Sequence, residues 1–187
     1  RMNNSVASLG AIDGLQWEGQ WGNWRSGAIL GSRPDFGNYG FNFNLMQYGA
    51  YGAYDWRKAK HQGQLSIGLM QQTNNGAIDR RYLYTQQSFR WSRLFLFASA
   101  EVDLYENFDT AQASNAFRLS SVYLSARYRA SKRWTIFASY DSRQQIIFFE
   151  RFDSEVERLL AEQGAREGIR LRSDYRFWKS THLGLSY

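Results

Sequence analysis

From Arg93 to Glu106 the chain reads RLFLFASAEVDLYE, and its side chains alternate in character. Leu94, Leu96, Ala98, Ala100, Val102 and Leu104 hold the even positions. Phe95, Phe97, Ser99, Glu101, Asp103 and Tyr105 hold the odd ones. Successive side chains on a strand point to opposite faces, so this segment has one wholly apolar face and one that turns acidic. Six apolar residues in an unbroken row are many for the half-buried strand of a soluble protein. They suit the roughly 9–11 residues with which a strand crosses a bilayer.

The same period recurs along the chain. It predicts an all-β, antiparallel up-and-down meander of about ten strands from a transmembrane β-barrel. The strands are expected at Ile12–Trp21, Trp24–Arg33, Met46–Arg57, Gln62–Gln72, Arg81–Arg90, Arg93–Glu106, Arg118–Arg129, Trp134–Phe148 and Ile169–Phe177, with a last one from Thr181. The fifth has the poorest pattern, because Thr85 and Gln87 fall on its apolar side. Gly22-Asn23 is a two-residue hairpin turn that sets Trp21 opposite Trp24. Pairing Ala130 with Trp134 would set Tyr123 against Asp141 and Ser121 against Arg143. Thr73–Arg80 is polar throughout most of its length and reads as a long loop. One helix is expected in a loop, over 150–167, where Ser154 and Glu157 form a capping box. Phe152, Val156, Leu159 and Leu160 recur there at helical spacing.

Composition fits this reading once the alternation is known. The mean hydropathy of −0.57 averages two opposite faces. No window of the chain approaches the run of about 18 apolar residues that a membrane helix needs. Aromatic residues make up 17% of the chain and there is a single proline, Pro34, so strand pairing is little interrupted. The net charge of +6 is spread through strands and turns instead of forming a run, which argues against nucleic acid as a partner. Without cysteine there is no disulfide framework and no thiolate metal site. No metal and no cofactor is expected.

Two regularities give the strands an orientation. The connections after strands one, three, five, seven and nine are short, and those after two, four, six and eight are long, as in outer-membrane barrels. Six of the seven tryptophans, Trp21, Trp24, Trp56, Trp91, Trp134 and Trp178, lie at or beside short turns. Indole rings prefer the lipid–water boundary, so these six are expected to form a membrane-interface girdle. This polarity puts the beginning and end of the segment on the long-loop side. Single-chain barrels begin and end on the short-turn side, so an internal segment of a larger barrel is expected, flanked by strands of the same parent chain. Any export signal is expected to have been removed or to lie outside the segment.

The segments GSRPDFGNYGFNFNLMQYGAY, DRRYLYTQQS, LFLFASAEVDLY and VYLSARYRASKRWTIFASYDSRQQIIFFE, with the helical stretch that follows, resemble large outer-membrane β-barrel proteins of Bacteroidota type whose function is uncharacterised. The similarity spans nearly the whole chain and is most specific at GSRPD and SARYR…FASYDSR. The resemblance implies a longer parent chain, a β-barrel fold and the outer membrane of a Gram-negative bacterium. It brings no catalytic residues with it.

The polar face carries the candidate chemistry. Glu101, Asp103, Tyr123, Arg127, Asp141, Arg143, Arg170 and Arg172 are expected to form a charged constriction of the lumen, which would make the protein a pore for unidentified solutes. The same charges could instead neutralise one another and fill the interior of a structural or anchoring barrel. A hydrolase in the barrel wall is a third class and no enzyme is expected. His61 and His182 sit at the short-turn rim, and Glu101 with Asp103 or Asp141 meets abundant arginine that would pair with it. The expected partners are the lipid bilayer, the flanking strands and other outer-membrane proteins reached through the long loops and the 150–167 helix.

Overall fold

The computed structural model describes residues 12–32, 41–106, 117–143, 166–177 and 182–186. They form ten strands: β1 (Asp13–Trp21), β2 (Trp24–Ser32), β3 (Leu45–Lys58), β4 (His61–Asn74), β5 (Ala77–Trp91), β6 (Leu94–Glu106), β7 (Arg118–Arg129), β8 (Trp134–Arg143), β9 (Arg166–Arg176) and β10 (His182–Ser186). All ten belong to one sheet whose spatial order is the order of the chain, the antiparallel meander that the alternation predicts. No helix occurs among the described residues. The helix expected over 150–167 lies outside them, except at Arg166 and Glu167, which open β9.

Turn chemistry sets the registers. Gly22 adopts φ +58°, the left-handed conformation that glycine takes without steric cost, and Trp21 pairs directly with Trp24. Trp24 in turn pairs with Tyr54 across β2 and β3. Further along the sheet order, Tyr123 pairs with Asp141 and Ser121 with Arg143, the predicted register. In the GAYGAY run a Cβ on Gly49 would run into the backbone oxygen of Leu69, so the missing side chain is what lets β3 and β4 approach.

One connection differs from expectation. Between β4 and β5 there is a tight turn at Asn75-Gly76, with φ +48° and +81°, in place of a long loop over Thr73–Arg80. Both central residues are left-handed, the conformation of a type I′ hairpin, which Asn-Gly favours. Thr73, Asn74, Asp79 and Arg80 read as loop because they are polar. They are strand residues, and Asp79 and Arg80 are buried. The alternation of short and long connections is therefore interrupted at β4–β5.

The sheet divides into two compact units, Arg1–Trp56, Gln64–Gln86 and Glu101–Leu119 in the first and Arg57–Gly63, Gln87–Ala100 and Ser120–Tyr187 in the second. In the first, burial is inverted relative to a protein core in water. Along β4, Ser66, Gly68, Met70 and Gln72 are buried while Ile67 and Leu69 stand about half exposed. Leu15 on β1 is 78% exposed, whereas Gln47 and Asp103 are each 1% exposed. The buried face is held by Ile29, Tyr51, Met70, Tyr82 and Tyr84, with Ile12 packed against them. In the second unit Leu96, Leu124, Ile169 and Leu171 are likewise exposed on the face opposite the arginines.

Candidate functional site

The densest chemistry in the first unit gathers around Arg80. β5 alternates so that Arg80, Tyr82, Tyr84 and Gln86 share the buried face. β6 presents Glu101 and Asp103 to them. Arg80 Nε donates to Asp103 Oδ1 at 2.6 Å and its NH2 group donates to Glu101 Oε2 at 2.9 Å. The guanidinium also lies 4.0 Å from the centre of the Tyr82 ring, close enough for cation–π attraction. Around this cluster Gln72 donates to Asp79 at 2.5 Å, Gln47 to the Tyr82 hydroxyl at 2.8 Å and the Tyr84 hydroxyl to Gln86 at 2.5 Å. Asp103 Oδ2 and Gln47 Oε1 are sealed from solvent and accept no hydrogen bond among the described residues.

A second polar group sits nearer the β1–β2 hairpin. Tyr51 donates to Glu18 at 2.5 Å and receives a bond from Gln16 at 3.0 Å. Arg25 holds Asp55 at 2.9 Å, with Asp55 half exposed. These pairs tie β1, β2 and β3 across the face on which their side chains meet.

The expected eight-residue constriction is split between the units. Glu101 and Asp103 belong to the first unit and are locked to Arg80. Tyr123, Arg127, Asp141, Arg143, Arg170 and Arg172 belong to the second. There the register brings Arg127 opposite Phe137, and Phe137 opposite Arg172. Tyr123 meets Phe97 edge-on at 5.9 Å. Arg172 pairs with Asp174 on its own strand at 3.0 Å, exposed to solvent, while Arg127, Arg143 and Arg170 are exposed and make no ion pair among the described residues. The expected girdle residues divide likewise. Trp24 packs on Tyr54 at 4.7 Å and Tyr54 stacks on Trp56 at 6.1 Å in the first unit. Trp91 and Trp134 are exposed in the second, where Trp134 donates to Ser173 Oγ at 2.9 Å. Trp178 lies outside the described residues.

The alternation pattern does not single out Arg80, Asp79, Gln72, Gln47 or Tyr82. An apparent loop hides Arg80 and Asp79, and Asn75-Gly76 is the signal that returns them to strands. Chemically the Arg80 cluster is a buried ion-pair network. Among the described residues no three His, Cys, Asp or Glu side chains are placed to share a metal ion. Comparison with family models, with curated proteins and with solved structures found no match.

Proposed function

We propose that the chain forms part of the wall of a β-barrel in the outer membrane of a Gram-negative bacterium, with the polar face of the Arg80 unit packed shut. The observation that carries this reading is the inversion of burial. Ile67 and Leu69 are open to the surroundings beside a Met70 that is wholly buried, and the buried partners include Gln47, Gln72 and Asp103. Lipid is the solvent in which such a sheet is at its lowest free energy, since it takes the apolar face and leaves the polar groups to bond one another. The resemblance to Bacteroidota-type barrels and the tryptophans at or beside the short turns point the same way.

The packing around Arg80 favours a structural or anchoring wall over an open pore in that unit, because Tyr51, Met70, Tyr82 and Tyr84 fill the face that would line a channel. Passage of solutes is the second reading, supported by the exposed Arg127, Arg143 and Arg170 on the polar face of the other unit. Cations lining a passage would select for anions. Planar-bilayer recording of the parent barrel separates the two. A steady closed trace supports anchoring. Anion-selective conductance that weakens in Arg127→Gln with Arg170→Gln supports passage.

A further inference from the structure

The second unit carries a row of turn cations that make no ion pair among the described residues and, on its apolar face, a hollow. Three backbone hydrogen bonds draw its turns side by side: Ser92 N to Lys60 O at 3.2 Å, Arg129 N to Arg93 O at 2.9 Å and Arg176 N to Arg133 O at 2.8 Å. Each turn brings its charges with it. Lys58 and Lys60 come from β3–β4, Arg93 from β5–β6, and Lys132 and Arg133 from β7–β8, while Arg57, Arg90, Arg129 and Arg176 alternate onto the polar face. All are exposed, and none forms an ion pair among the described residues. No acidic residue lies in these turns, and Asp174, just inside, is already bridged to Arg172. So many like charges along one edge repel one another unless anions neutralise them. Trp91, Tyr128 and Trp134 stand exposed among them, the ring types that settle at headgroup depth.

The hollow lies a few residues further along the same strands. It measures about 620 Å³ and is walled by Phe89, Leu96, Leu124, Ile169 and Leu171. Its floor is made by alanine, with Ala126 paired to Ala138 across β7 and β8 and Ala98 beside them. Small side chains there leave room that a row of leucines would fill. This is within the range of about 300–1,000 Å³ of small-molecule pockets, and its apolar lining suits hydrocarbon.

We propose that this unit holds an anionic phospholipid, its phosphate against the turn cations and an acyl chain in the alanine-floored hollow. The proposal rests on the membrane reading above and adds a lipid preference to it. Charge complementarity selects the occupant: a second copy of this chain would bring another cationic edge, and a neutral detergent would leave the cations unmatched.

The test uses the parent barrel folded in vesicles of phosphatidylcholine alone or mixed with phosphatidylglycerol, followed by native mass spectrometry of the extracted protein. Preferential retention of phosphatidylglycerol is expected. It should fall about fivefold for each charge removed in Lys132→Gln and Arg133→Gln, and should weaken at high salt. Ala138→Leu should leave the headgroup preference in place while shortening lipid residence, because the hollow is filled and the charges are not. Equal retention of both lipids, a preference untouched by the charge variants, or a dimer in place of the lipid adduct would each overturn the proposal and leave the membrane reading standing. A parent barrel that remains fully open to protease across this segment with both vesicles would overturn the membrane reading itself.

Discussion

Arg80 and Asp103 face each other across β5 and β6 with Nε and Oδ1 2.6 Å apart and both side chains nearly sealed, 6% and 1% exposed. Glu101 closes the other side of the guanidinium at 2.9 Å. A buried pair of this kind adds little net stability against an apolar replacement, yet breaking it is costly because a charge is left without its counterpart. Arg80→Leu leaves two carboxylates facing each other and should cost about 3–5 kcal/mol. Asp103→Leu should cost clearly less, since Glu101 still holds Arg80. The double replacement should fall well short of the sum. Urea unfolding in detergent micelles, followed by tryptophan fluorescence, measures all three, and additive losses would deny the coupling.

Charge on the apolar face distinguishes lipid from water. Leu69→Arg or Leu124→Arg should destabilise the protein in phospholipid vesicles by about 2–4 kcal/mol if the position lies near the bilayer midplane. In a water-exposed sheet the same changes, at side chains already about half exposed, should stay within about 0.5 kcal/mol. Reversible unfolding from vesicles reads the difference.

The turns offer an independent check on register. Gly76 sits at φ +81°, and a methyl group added there would meet no neighbouring atom. Gly76→Ala should still cost about 1–2 kcal/mol, all of it from the backbone conformation. Ser92 adopts φ +49° without being glycine, and Ser92→Gly should gain about 0.5–1 kcal/mol. Opposite signs at two turns, read by the same urea unfolding, would tie the effect to backbone conformation. A stability loss at Ser92 would show that its hydroxyl matters more than its φ.

Much of the sheet can be read directly from side-chain alternation. β6 and β4 announce their faces because Leu, Ile and Ala alternate with Ser, Gly, Gln and acid. The Trp21–Trp24 and Tyr123–Asp141 pairings follow from turn residues and counting. β5 is less legible, since Thr85 and Gln87 stand on the side where apolar residues are expected, and its Tyr82 and Tyr84 are buried among polar groups. The Arg80 cluster is harder still. Polar residues at strand ends look like loop whenever the face they serve is itself polar, and hydropathy cannot tell a buried arginine from a solvated one. Sequence separation also hides that Arg80 meets Glu101 and Asp103, because that meeting depends on how β5 and β6 are aligned.

Which way the alternating side chains face is the question a single labelling series answers most directly. The chain has no cysteine, so Ser66→Cys, Ile67→Cys, Leu69→Cys and Met70→Cys can each be labelled with a small fluorophore, the protein refolded into vesicles, and quenching by brominated acyl chains recorded. Strong quenching at 67 and 69 with little at 66 and 70 is the predicted result. Uniform quenching, or strong quenching at 66 and 70 instead, would contradict a sheet whose apolar side is solvated by lipid.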